Sequence, residues 1–286
     1  MVQLVDSDIK TREVLDWKGV HVLHFIGSSC SQKLRVFLNL KGIPWESHPV
    51  DLPANENFQP WFLGINPRGL VPVLVHDGAV HIESNDIITY LEKTFPTPKL
   101  IPAGHENEVA ALLKHEDNLH LDLRTLSFRF VFAPPGPPKP AAALKNYAAD
   151  SGTVQGAADR DKQIQIEFWQ RAAKEGFTDE RARASAQKFR TAFDAMDKQL
   201  AQQPYLMGEA LSVLDIAWLI YVHRLSLAGY PFRRLHPHVF AWKERLASRP
   251  EFAKEIELLR HSKEQLEATH RAQEQAGKTL EAVAGF

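Results

Sequence analysis

Residues 20–31 read VHVLHFIGSSCS. Val20 to Ile26 is rich in β-branched and aromatic residues and predicts a strand. Gly27 ends it. Leu34 to Leu40 then carries apolar residues at helical spacing and stops at Lys41-Gly42, a helix C-terminal signal. A strand feeding a helix through a short polar turn is the opening of an α/β domain. Pro44 to Val50 continues it as a weak strand, with Pro49 marking an edge. A short helix is expected over Phe58 to Ile65. Pro72 to His76 and Ala79 to Ile82 are short strands joined by Asp77-Gly78, a hairpin signal. Ser84 to Phe95 is an amphipathic helix with Ser84 as its expected cap. The order is β-α-β, a connection, then β-β-α.

Beyond Pro96 the pattern is helical. The spacing predicts one long helix from Glu106 to about Phe132, which Pro134 to Pro140 (PPGPPKP) terminates. Ala141 to Ala158 is small and polar and reads as irregular. Helices are expected over Asp159 to Glu175, Thr178 to Gln202, Ser212 to Leu227 and Pro237 to Ala247. Glu251 to Ala282 is charged and weakly apolar. The chain divides into an N-terminal extension (1–18), an α/β domain (19–97), an all-helical domain (104–260) and a polar C-terminal tail (261–286).

Composition excludes several classes. The 286 residues are 44% hydrophobic and 24% charged, ordinary globular values. Lys+Arg is 34 and Asp+Glu is 35, so a net charge of −1 offers no global attraction to nucleic acid or an anionic membrane. Cys30 stands alone, which excludes a disulfide framework and fits a reducing, cytoplasmic setting. The longest apolar stretch, around Leu211 to Val222, contains Asp215 and is too short to span a bilayer. No metal is expected: His115, Glu116 and His120 have the wrong spacing to share a helix face.

Four short motifs can carry chemistry. Ser28-Ser29-Cys30-Ser31 lies at a helix start, where backbone N–H groups favour an anion and hydroxyls add donors. One serine would suffice as a cap. Asn66-Pro67-Arg68-Gly69 leads into Val71-Pro72, where a cis peptide bond would turn the Val71 backbone outward as a partner for a peptide-like ligand. Glu83-Ser84 opens a helix and can hold a carboxylate and an ammonium; the plainer reading is a cap beside a solvated glutamate. Ser212-x-x-Asp215 has capping-box spacing and reads as a folding element of a buried helix.

In this order, these motifs resemble the cytosolic glutathione transferase family. The resemblance implies an N-terminal thioredoxin-like α/β domain followed by an all-α C-terminal domain, glutathione as cosubstrate, a small hydrophobic electrophile as second substrate, and a homodimer. It implies that Ser28, with Ser29 and Cys30 beside it, donates to the glutathione sulfur; an alternative alignment puts Ser31 there. Val71 and Pro72 would pair with the cysteinyl part of glutathione, Glu83 and Ser84 would hold its γ-glutamyl end, and Asn57 matches a zeta-class glutamine. His115, Leu119, Leu123, Phe128 and Trp169 are the candidate acceptor-site residues of the helical domain, from their apolar and aromatic content.

The Ser28–Ser31 motif is similar to that of zeta-class maleylacetoacetate isomerases. The Asn66 to Pro72 stretch and the long insert ahead of Phe177 are more similar to bacterial β-etherases and related fungal transferases. The leading expectation is β-aryl ether cleavage by glutathione, with a haloaromatic acceptor second. Zeta-type isomerisation, a Cys30-dependent thiol transferase or reductase, and a non-enzymatic glutathione-binding protein remain alternatives.

Overall fold

The computed structural model describes residues 2–134 and 136–286. In chain order its elements are β1 (Val2–Gln3), β2 (Val20–His24), α1 (Ser29–Lys41), β3 (Glu46–Pro49), α2 (Pro60–Leu63), β4 (Val73–His76), β5 (Ala79–Ile82) and α3 (Ser84–Thr94). There follow α4 (Glu106–Asp117), α5 (His120–Leu126), α6 (Ala141–Ala149), α7 (Arg160–Glu175) and α8 (Asp179–Leu200). The chain ends with α9 (Val213–Leu227), α10 (Phe232–Leu235), α11 (Pro237–Ala247), α12 (Pro250–Ile256), α13 (Arg260–Gln275) and α14 (Leu280–Ala284). No helix among the described residues is long and apolar enough to cross a membrane.

The chain forms two compact units: residues 1–98 with 136–176, and residues 99–135 with 177–286. In the first, a sheet of order β1-β5-β4-β2-β3 is antiparallel except for the β2–β3 pair. The N-terminal extension is part of this sheet. Val2 and Gln3 pair with Ile82 and His81, and Leu4, Ile9 and Val14 enter one core with Leu23, Phe62, Val73 and Val75. Burying such side chains removes apolar area from water at about 25 cal/mol per Å².

Residues 136–176 lie between helices of the second unit in sequence but pack on the first. Asp8 holds them there. It is buried, and its carboxylate accepts from the Thr153 hydroxyl at 2.6 Å and from the N–H groups of Gln155 and Gly156 at 2.7 and 2.9 Å. Burial alone would raise the Asp8 pKa, but these donors and the Val5 N–H hold it below the ordinary carboxylate value. Val154 joins the sheet core. Ala141 to Ala149 is helical, contrary to the irregular segment expected from its small residues. Alanine is the best helix former, Pro140 precedes the first turn without costing a hydrogen bond, and Leu144 and Tyr147, three apart, bury one face.

The second unit is all helical. Its centre is α9, buried at every position from Val213 to Leu225, as a helix apolar all round must be. Its Trp218 and Tyr221 join Phe189, Phe193, Tyr230 and Phe232 in one aromatic cluster of edge-on, tilted and stacked rings. The single long helix expected over 106–132 is instead broken after Asp117. Leu119 leaves helical geometry at ψ 1°, α5 follows, and Ser127–Phe132 forms a wider π-turn. Residues 261–286 do not hang free as a polar tail. The Gln273 amide donates to the Phe130 carbonyl, Leu280 and Val283 are buried, and Phe286 packs edge-on against Tyr230.

The Ser212–Asp215 box forms as its spacing requires. Asp215 accepts from the Ser212 N–H and hydroxyl at 2.9 Å each, from the Leu206 N–H at 2.9 Å and from the Trp242 indole at 3.0 Å. Asp215→Ala leaves these buried donors unmatched. It should cost about 2–4 kcal/mol in urea unfolding, given that an orphaned buried donor costs about 1–3 kcal/mol. The kinetics of the folded fraction should stay close to wild type.

Two buried histidines give the fold an acid limit. Burial, with His76 nearby, lowers His81 from 6.5 to about 4; burial, with Arg224 and Lys243 nearby, lowers His223 to about 3. The Nε2 atom of each is buried without a hydrogen-bond partner. Both rings are neutral in the folded chain and protonate more readily once it unfolds. Their contribution is complete above pH 6.5, declines as the pH falls below it, and bottoms out near 4 and 3. Urea midpoints should therefore fall on acidification below pH 6.5, and His81→Phe and His223→Leu should each flatten part of that slope.

Candidate active site

The site is assembled at one end of the first unit's sheet. Leu23 pairs with Val73, and Leu74 with His81. Extending both registers outward brings His24, Pro72 and Glu83 into one row. The motifs around residues 28, 71 and 83 thus meet at a single edge although they are far apart in sequence.

Ser28 caps α1, and its Oγ accepts the Ser31 N–H at 3.3 Å. This bond uses an oxygen lone pair and leaves the hydroxyl proton available to an anion. The half-buried Ser28 also sits at the positive end of a thirteen-residue helix. Ser31 faces inward. It is fully buried, and its Oγ accepts the Phe25 N–H at 3.4 Å. Ser29 is buried and Cys30 is half-buried.

Arg35 fixes the turn ahead of this helix. Its guanidinium, only 2% exposed, lies 3.1 Å from His24 Nδ1 and donates to the Phe25 and Ile26 carbonyls at 3.2 and 3.0 Å. No motif in the sequence marks Arg35 for this role. Its helical position among apolar neighbours was the available signal, but the carbonyls it meets lie nine and ten residues away.

Val71–Pro72 is cis, as its motif suggested. The turn before it is internally bonded. Asn66 donates to the Leu70 carbonyl at 2.8 Å and accepts the Arg68 N–H at 3.0 Å. Gly69 has φ +62°, and a Cβ there would meet the Phe58 and Tyr147 rings at 3.1 Å. Asn57 is buried and donates to the Gly69 carbonyl at 2.6 Å, so its amide nitrogen supports this turn.

Glu83 has φ +67° and ψ +113°, a conformation non-glycine residues rarely adopt and one that commonly marks functional positions. Glu83 therefore precedes α3 as its cap residue, and Ser84 is the first helical residue, not the cap expected from sequence. Glu83 Oε1 accepts from Arg68 at 2.6 Å. Arg68 also donates to both Asp159 oxygens, at 2.7 and 2.8 Å, and pairs with Asp161 at 2.9 Å. Burial would lower the Arg68 pKa, but Asp159 and Glu83 more than reverse this and hold the guanidinium firmly charged. Asp159 caps α7 by accepting the Lys162 N–H at 2.9 Å. The Tyr147 hydroxyl donates to the Arg68 carbonyl at 2.6 Å. Residues 136–176 are thus tied directly to the Glu83 position.

The acceptor candidates do not gather in one unit. Trp169 belongs to the first unit, where it is buried beside Phe168 and under the Lys139 ammonium. His115, Leu119, Leu123 and Phe128 belong to the second. Leu119 and Leu123 are packed inside it at 8% and 1% exposure. His115 is exposed, and half-buried Phe128 stacks on Phe177 at 5.5 Å.

Residues 27–94 match the model of the glutathione S-transferase N-terminal domain, and residues 178–245 that of the C-terminal domain. The chain belongs to the glutathione S-transferase family. It is 46% identical over 79 residues to the zeta-class glutathione S-transferase of Euphorbia esula, covering 28% of this chain and 35% of that protein. It is 40% identical over 94 residues to maleylacetoacetate isomerase of Pseudomonas aeruginosa, covering 30% and 44%. Both alignments thus span less than half of the relative. Protein LigF of Sphingobium sp. is 28% identical over 223 residues, covering 73% of this chain and 82% of LigF. The crystal structure of the β-etherase LigF superposes with a TM-score of 0.66 at 26% identity, covering 83% of this chain and 98% of that one.

The Arg68 network separates buried from exposed ion pairing. Arg68→Leu strands the Asp159 carboxylate, which is 10% exposed, and should cost about 3–5 kcal/mol in denaturant melts. Asp161, 58% exposed, should cost under about 1 kcal/mol as Asp161→Ala. Hydrogen exchange across residues 136–162 should rise in the first variant only.

Proposed function

We propose that this chain is a glutathione transferase in which Ser28 stabilises the glutathione thiolate and the thiolate displaces an aryl oxide from a β-aryl ether. The observation that carries the reading is the Ser28 hydroxyl. Its oxygen is engaged by the α1 cap, while its proton can point to an anion at the helix start. A free thiol has pKa of about 8.5, and a helix N-terminus with a hydroxyl donor lowers it. Glutathione would lie along the Val71 backbone, with its γ-glutamyl end at Glu83 and Ser84. The sulfur forms a bond to the ether-bearing carbon, the carbon–oxygen bond breaks, and the aryl oxide leaves and takes a proton from water.

Two observations favour this substrate class. Similarity to LigF extends over most of both chains, whereas the zeta-class alignments stop after 79 and 94 residues. The buried basic side chains in and beside residues 136–176 are also already paired. Arg68 is held by Glu83 and Asp159, Lys139 by the Leu52 carbonyl and Asn55, and Lys162 by Asp150. A small diacid needs cations to meet it, and a neutral aromatic does not. The second reading, zeta-type isomerisation, rests on the Ser28–Ser31 motif and on identity above 40% in the E. esula alignment. A cytoplasmic homodimer is part of the proposal.

The test offers purified protein and glutathione a β-aryl-ether model compound and, separately, maleylacetoacetate. Phenol release is expected from the first; fast isomerisation without phenol release would restore the zeta reading. Ser28→Ala should cut turnover about 10²–10³-fold, the usual cost of one preorganised donor to a developing anion, with glutathione affinity within severalfold. Cys30→Ala should leave transfer largely intact. Loss of activity in Cys30→Ala alone would instead indicate a thiol transferase.

A further inference from the structure

We propose that His21, Glu46 and His48 form a binding site for a first-row transition-metal dication of the zinc type, separate from the glutathione site. The parallel register pairs His21 of β2 with Glu46 of β3, and Leu23 with His48. Because side chains alternate along a strand, all three lie on one sheet face. It is the face of Leu23, in the core with Val14 and Phe62, while His24 on the other face meets Arg35 of α1.

Hydrogen bonding sets the roles of the ring nitrogens. His21 Nε2 lies 2.8 Å from the Lys18 carbonyl, which only accepts, so Nε2 carries the hydrogen. In the neutral ring, Nδ1 therefore presents a lone pair. It faces His48 Nε2 at 3.1 Å and Glu46 Oε2 at 3.4 Å. His21 Nδ1, His48 Nε2 and Glu46 Oε2 can thus converge on one cation in place of the His21–His48 hydrogen bond. A backbone carbonyl on the far nitrogen is the usual way of orienting a metal-bound histidine.

The spacing suits zinc. Bonds of about 2.0–2.2 Å at a tetrahedral angle hold adjacent ligand atoms about 3.3–3.5 Å apart. The distances from His21 Nδ1, 3.1 and 3.4 Å, lie just below and within that range, and all three donor atoms lie within 4.8 Å of one another. Trp17 stacks on His48 at 4.3 Å and packs against His21 at 4.7 Å, restricting both rings. Glu46 is 72% exposed, so an ion can enter from solvent and keep a water as its fourth ligand. Two imidazoles and one carboxylate select zinc, cobalt, nickel or copper over magnesium or calcium.

The test uses the full chain after chelator treatment, with glutathione omitted because it binds metals itself. Co2+ is titrated and followed by its visible absorption, and Zn2+ is then added to displace it. One Co2+ should bind per chain, and Glu46→Gln and His48→Ala should each weaken binding at least about tenfold, as expected for loss of a ligand. Glu46 is exposed, so Glu46→Gln should keep its metal-free melting midpoint and decides the matter if His48→Ala fails to fold. Absence of saturable binding would overturn the site, as would unchanged affinity in Glu46→Gln.

Discussion

A guanidinium cannot be buried alone. Arg68 is 6% exposed and carries a charge that desolvation penalises by several kcal/mol, so the surrounding chain must supply carboxylates. It does so from two distant places: Glu83, at the strained turn between β5 and α3, and Asp159, at the start of α7. One cation thereby fixes the rotamer of a glutamate in a rare backbone conformation and anchors a segment inserted far along the sequence. Asp8 repeats the device with opposite sign, a buried anion met by three donors from the same segment. Two charges, each satisfied across more than ninety residues, explain why residues 136–176 belong with the sheet and not with the helices that flank them.

The start of α1 illustrates a division of labour. Ser28 closes the helix with its oxygen, Ser31 turns inward to the Phe25 N–H, and Arg35 secures the preceding carbonyls. A hydroxyl held this way needs little reorganisation to face an anion, which is what makes preorganised donors effective. Under the proposed chemistry, the turn's rigidity matters as much as the identity of the donor.

Much of this was legible in the sequence because it is governed by local rules. The Lys41-Gly42 stop, the Asp77-Gly78 hairpin and the Ser212–Asp215 box each depend on a few adjacent residues, and each formed as its chemistry requires. Ordered motifs brought out the family and, with it, the three segments that the sheet brings to one end. What was not legible is non-local. Nothing near Arg68 announces Asp159, and nothing in residues 141–149 announces that Leu144 and Tyr147 have a surface to bury against. The break after Asp117 falls in a stretch whose apolar spacing runs on unbroken, so tertiary packing overrode periodicity. Ser84 lost its place as cap because Glu83 takes the positive φ, a backbone state that sequence does not advertise.

The order of the sheet has a further consequence for solubility. Its outermost strands are β1, two residues long, and β3, which ends in Pro49. A sheet edge is a row of unpaired backbone donors and acceptors, able to recruit the edge of another molecule into a growing stack. One edge here is too short to template such growth. The other carries an exposed glutamate and a residue with no N–H to offer. The apolar strands β4 and β5 lie inside, each bonded on both sides. The two residues contributed by the N-terminal extension thus act as a terminator, shielding the β5 edge from intermolecular pairing.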